Sequence, residues 1–193
     1  GTGTVKVPSG YEDRAGFTTD SLANKAYVDQ VAQGLDTKPS CRVATTANLS
    51  ATYSNGTAGV GATLTNSGTQ AALTIDGVTM VANDRVLVKD QSTAAQNGIY
   101  VVTNIGSGSS NWILTRATPE DQPAELSGGA FVFVEEGTAN ANNGYVFTHT
   151  GNPTFGTTSL DVAQFSGAGQ ITAGAALTKT GNQMDVAVDD SSI

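Results

Sequence analysis

Between Asn83 and Val102 the chain reads NDRVLVKDQSTAAQNGIYVV, and this stretch limits the possible folds more than any other. Val86 and Val88 alternate with Arg85, Leu87 and Lys89, the period of two that a strand distributes over its opposite faces. Ile99, Tyr100, Val101 and Val102 are all strong strand formers. Asp90 to Gly98 is polar and ends in Asn97-Gly98, a pair that tolerates positive φ and suits a turn. Two strands joined by a polar connection are therefore predicted, and the downstream chain reads as further strands added to this pair.

The strand signals continue on both sides. Arg42 to Thr46 is a candidate first strand, and Tyr53 to Gly68, rich in Gly and Asn, reads as a long surface loop or weak hairpin. Leu73 and Ile75 share a face before Asp76-Gly77 turns the chain, after which Val78, Met80 and Val81 are predicted to continue inward. Trp112, Leu114 and Arg116 share the next face, with the Arg116 head expected in water above an apolar stem. Ala117 to Ser127 contains prolines and acids and is predicted as loop. Ala130 to Val134 is the most apolar run and the expected most buried strand, answered by Gly144 to Thr148. Leu160, Val162 and Phe165 are expected to close the domain. About seven to nine short strands with turns between them predict a mainly β fold, a sandwich or small barrel.

The flanks differ from this body. Residues 1–19 read as an extended arm, 20–38 as a short helix, 39–166 as the β domain and 167–193 as a fibre-like β segment ending in a hairpin. In the helix, Val28, Val31 and Leu35 fall at spacings of three and four, with Leu22 and Tyr27 beside them. That stripe is either packed on the chain's own β domain or used as an oligomerisation seam among two or three copies. Arm, helix and tail each carry too little apolar surface to stand alone, and oligomerisation about a long axis answers all three.

Composition excludes several functions. A net charge of −8 with only 9 basic residues, scattered singly, argues against a nucleic-acid surface. Cys41 is the only cysteine, so neither an intrachain disulfide nor a cysteine-built zinc cage can form, and assembly in a reducing compartment is expected. No apolar run approaches the roughly 20 residues of a membrane span, and the first residues lack a secretory h-region. A chain opening on Gly1 is expected to be a processed or excised piece.

Catalytic chemistry is not expected. Adjacent Glu135 and Glu136 would point to opposite faces of a strand, and Glu120, Asp121 and Glu125 read as a solvated loop. His149 is the sole histidine, too few for a metal cluster, and no G-x-S-x-G elbow accompanies it. Gly167-Ala168-Gly169 outlines a phosphate loop without the Lys-Ser/Thr that would complete it. Asp84, Asp90, Asp189 and Asp190 lack calcium-loop spacing and read as surface or turn residues, and Trp112 reads as core before sugar platform. No cofactor or metal is expected.

One resemblance adds to this reading. Leu22-Ala23-Asn24-Lys25-Ala26-Tyr27-Val28-Asp29 resembles a helix that recurs in bacteriophage tail fibre proteins. The ordered series Ile75 to Val78, Arg85 to Gln91, Asn97 to Val102, Trp112 to Ala117, Val132 to Gly137 and Gln164 to Gly169 is similar to a domain of tail fibre and related tail proteins. The resemblance implies a homotrimeric virion component, assembled in the bacterial cytoplasm, in which a helical bundle leads into a β domain and further fibre. The expected partners are sister copies and other tail or baseplate proteins, with host surface polysaccharide as a further ligand and neither nucleic acid nor inserted membrane. With the sequence read to Ile193, the receptor-binding tip of longer fibres is not expected in this stretch. The alternatives are a carbohydrate-binding adhesin, using loops near Ser54 to Gly68 and Thr118 to Ser127, and a capsule-degrading enzyme.

Overall fold

The computed structural model describes residues 36–166, 177–180 and 183–186. They are mainly strand, as predicted. Six strands form one sheet in the order β1 (Val43–Ala44), β6 (Arg85–Val88), β7 (Gly98–Asn104), β8 (Ile113–Arg116), β3 (Thr63–Asn66) and β2 (Ala51–Ser54). All neighbours in it are antiparallel except β1 and β6. A second sheet has the order β11 (Val162–Ser166), β10 (Asn143–Phe147) and β9 (Phe131–Val134). Two hairpins complete the set: β4 (Thr74–Ile75) with β5 (Val78–Thr79), and β12 (Leu177–Thr180) with β13 (Gln183–Val186).

The stretch from Asn83 to Val102 supplies the middle of the large sheet. β6 and β7 pair from Arg85 opposite Val101 to Val88 opposite Gly98, and period-two alternation sends their side chains to two different cores. Val86, Val88, Tyr100 and Val102 meet Leu64, Leu114 and Trp112, together with Ile75 of β4 and the residues flanking the β4–β5 hairpin, Leu73 and Met80. Leu87 and Ile99, with Ala44, meet Val132, Val134, Tyr145 and Phe147 of the second sheet, together with Leu126, Phe155 and Leu160. The large sheet is thus covered on both faces, which is why its central strands read as near-continuous apolar runs. Asp76 and Gly77, with φ of 50° and 80°, form the tight turn that folds β4 onto β5.

The segment 36–45 stitches the two sheets together. Thr37 and Cys41 bridge in parallel to Phe131 and Val134, and Arg42 and Thr45 then donate backbone hydrogen bonds to Arg85 and Leu87 of β6. The chain leaves the edge of β9 and joins the edge of β6 within a few residues.

Several expectations are corrected. The candidate first strand is only Val43–Ala44, flanked by Arg42 and Thr45, whose amides also bond β6; the Arg42 carbonyl accepts the Glu136 amide from beyond β9. Of the two readings of Tyr53 to Gly68 the hairpin holds and the surface loop does not: β2 and β3 pair antiparallel with Tyr53 opposite Leu64, and β3 lies between β2 and β8. Val81 faces solvent, 55% exposed, because the chain turns outward after Met80. Ala130 to Val134 is not the most buried strand: Ala130, Val132 and Val134 are inside, but Phe131 is half-buried and Phe133 exposed, since among the described residues the second sheet is packed on one face alone. Phe165 does not close the domain; Leu160 does, while Phe165 points outward.

Candidate assembly surface and the polar groups beneath it

The acidic connection after β8 is built rather than solvated. It forms two short 3-10 turns, Thr118–Glu120 and Pro123–Glu125, with Glu125 capping back onto the Gln122 amide at 2.9 Å. Glu120 is fully buried, and one carboxylate oxygen accepts a hydrogen bond from Arg85 Nη2 at 3.0 Å. Its Oε2 accepts none among the described residues. Burial pushes the Glu120 carboxyl above its ordinary range, against the opposing pull of Arg85. Asp121 is buried beside it and is also raised, first by burial and then by the charge of Glu125. Cys41 lies in the same neighbourhood, and burial pushes its thiol up to about 12. A thiol so shielded is a small apolar filler and not a nucleophile.

A second polar group lies inside the large sheet. Arg116 is 2% exposed, so the expectation of a wet head is corrected. Both terminal guanidinium nitrogens donate to Asn97 O at 3.2 Å, and Nη2 also donates to Tyr100 Oη at 3.0 Å. The guanidinium carbon lies 4.9 Å from the Tyr100 ring centroid and 4.5 Å from that of Phe155. Asn97 is itself buried, its side chain accepting from the Gln91 amide and donating to Leu160 O. A Cβ on Gly98 would meet Arg116 Nη1 at 2.2 Å, so this position requires glycine for space as well as for its φ of 140°. These are the bonds of a structural lock: every donor named here is directed at a carbonyl or hydroxyl oxygen of the protein itself.

Other candidates resolve in the same direction. Glu135 accepts from Ser40 Oγ while Glu136 pairs with Arg42 at 3.2 Å, so the two acids serve different partners. Asp84 holds Arg42 at 2.7 Å and the Val81 amide, and Asp90 holds Thr45 and Lys89. His149 Nε2 meets Leu126 O at 3.0 Å. Among the described residues no group of three or more His, Cys, Asp or Glu converges as a metal site. Trp112 is 7% exposed and belongs to the core. The predicted seam residues Leu22, Tyr27, Val28, Val31 and Leu35 lie outside the described residues, as do Asp189, Asp190 and Gly167-Ala168-Gly169.

What the described residues do present is an apolar sheet face with exposed aromatic side chains. β9, β10 and β11 contain no charged residue, and their inner side chains fill the core shared with the large sheet. Outward, Phe133 is exposed, Phe165 is 70% exposed, and Phe131 meets Phe165 edge-to-face at 5.9 Å between centroids. Val146, opposite both Phe131 and Ala163 in register, lies between them. The C-terminal hairpin has a similar feature, with Leu177 directly opposite Val186 and both exposed. Sequence reasoning missed the outer face because it took every aromatic of these strands for core. The signal was the alternation Phe131-Val132-Phe133-Val134, in which both sets are apolar and only one can face inward.

No protein-family model, curated protein or solved structure matches this chain.

Proposed function

We propose that this chain is a structural component of a bacteriophage virion, a tail fibre or tail-attached fibre segment that assembles as a homotrimer and supports host attachment. The observation that carries the reading is the hairpin β12–β13. Its strands have four residues each, and Leu177 and Val186 form a cross-strand apolar pair left 40% and 67% exposed. A two-stranded hairpin is marginal in water by itself, and an open apolar pair on it supports association with sister hairpins. The tail-fibre resemblance of the helix and the β-strand series supplies the biological setting, and the apolar stripe from Leu22 to Leu35 supplies a second seam. In this reading the β domain is a rigid spacer, held by the Arg116 and Glu120 locks, and sister copies and other tail proteins are its partners.

Light scattering on the full chain should give about three times the 19.5 kDa chain mass. Val31→Asp with Leu35→Asp should lower it. Antibodies raised against the chain should decorate the tails of intact particles; a monomeric wild-type chain at micromolar concentration, or particles left undecorated, defeats the reading.

A further inference from the structure

We propose that the outer face of the β9–β11 sheet is a contact surface between copies of this chain, with Phe133 and Phe165 facing the same residues of sister copies. The inference rests on the homotrimer reading and assigns it a surface. Three observations on the described residues converge on this face.

The first is its chemistry. Phe131, Phe133, Val146, Ala163 and Phe165 make a contiguous apolar surface, and β9–β11 are free of charge in a chain whose net charge is −8. Copies with that charge repel one another across most surfaces, and an uncharged face is where they approach at least cost. The same absence of charge offers nothing to an ionic or strongly polar partner.

The second is the path of the chain. Residues 1–35 join this body at Asp36, whose carbonyl accepts the Phe131 amide at 2.7 Å, and the body is left at Ser166, next to Phe165. Both flanking segments therefore start from this one sheet. If those segments associate between copies, covalent continuity brings the β9–β11 sheets of those copies near one another.

The third is size. An exposed aromatic contributes up to about 150–250 Å², so the face amounts to a few hundred Å², below the roughly 800 Å² per partner of a stable pairwise interface. It is too small to hold two copies together alone, yet it suits one part of a contact that the flanking segments extend. A heterologous partner would have to supply that remaining area itself; sister copies already carry it.

The test uses the full chain with Phe165→Cys in a Cys41→Ala background, treated with a short bis-maleimide at several protein concentrations while light scattering reports the mass. Exposed Ser109→Cys in the same background is the comparison. Covalent dimers from Phe165→Cys in a yield independent of concentration, with Ser109→Cys remaining monomeric on a denaturing gel, are expected. A trimeric mass with no cross-linking at Phe165→Cys overturns the assignment and leaves the trimer standing; a monomeric mass overturns both. As a second measurement, Phe133→Asp with Phe165→Asp should raise the protein concentration at which the oligomer is half dissociated several-fold. An unchanged midpoint also overturns the proposal.

Discussion

Replacing Gly98 by alanine tests the Arg116 lock directly. The new Cβ would lie 2.2 Å from Arg116 Nη1, more than 1 Å inside contact distance, on a backbone with φ of 140°. The backbone conformation alone costs about 1–3 kcal/mol for a non-glycine residue. The guanidinium cannot step aside freely, because it is buried and holds Asn97 O and Tyr100 Oη. Displacing it removes its charged hydrogen bonds to these two acceptors, worth about 1.5–3 kcal/mol each, so the total with the backbone cost is about 4–9 kcal/mol. Gly61→Ala is the internal comparison: its φ is 68° but nothing lies within 4 Å of the added carbon. It should cost only about 1–2 kcal/mol of left-handed strain, partly offset by about 0.4–1 kcal/mol of lost unfolded-state entropy. Urea denaturation at one fixed protein concentration, followed by the fluorescence of buried Trp112, measures both. In an Arg116→Met background Gly98→Ala should fall to its backbone cost, and that coupling isolates the clash. If Gly98→Ala and Gly61→Ala differ by less than about 1 kcal/mol, Arg116 is not held where this reasoning puts it.

Two further outcomes follow from the polar interior. The Glu120 carboxyl is raised in the folded chain, so the folded state binds its proton more tightly than the unfolded state. Stability from this group is therefore fully present below the ordinary value of 4.5 and is lost as pH rises through the higher folded value. Glu120→Gln should flatten that fall in a series of urea midpoints against pH, and Asp121→Asn should remove a further part of it; an unchanged pH profile in both refutes the assignment. Asp76 accepts the amides of Ala139 and Asn140 and the Asn140 side chain, at 2.8 to 3.2 Å, tying the β4–β5 turn to the loop before β10. Asp76→Asn keeps a residue tolerant of positive φ but loses acceptor capacity, and should cost about 1–3 kcal/mol by thermal or urea unfolding.

The alternation of Val86, Leu87 and Val88, the Asp76-Gly77 turn and the run from Ile99 to Val102 determine by themselves that this chain is built from short strands in a mainly β body. Local rules suffice there, since the period of two and the need for positive φ depend on neighbours in sequence. They could not say which of two apolar faces would be covered. Phe133 and Phe165 are as greasy as Leu87 and Ile99, and only the packing of the second sheet against the first leaves them outside. Nor could they show that Arg116, Glu120 and Asp121, residues ordinarily found in water, would be enclosed. That depends on partners distant along the chain: Arg85 for Glu120, and Asn97, Tyr100 and Phe155 for Arg116. A charged side chain is retained inside where the tertiary fold brings donors and acceptors to it, a condition that no window of neighbouring residues contains.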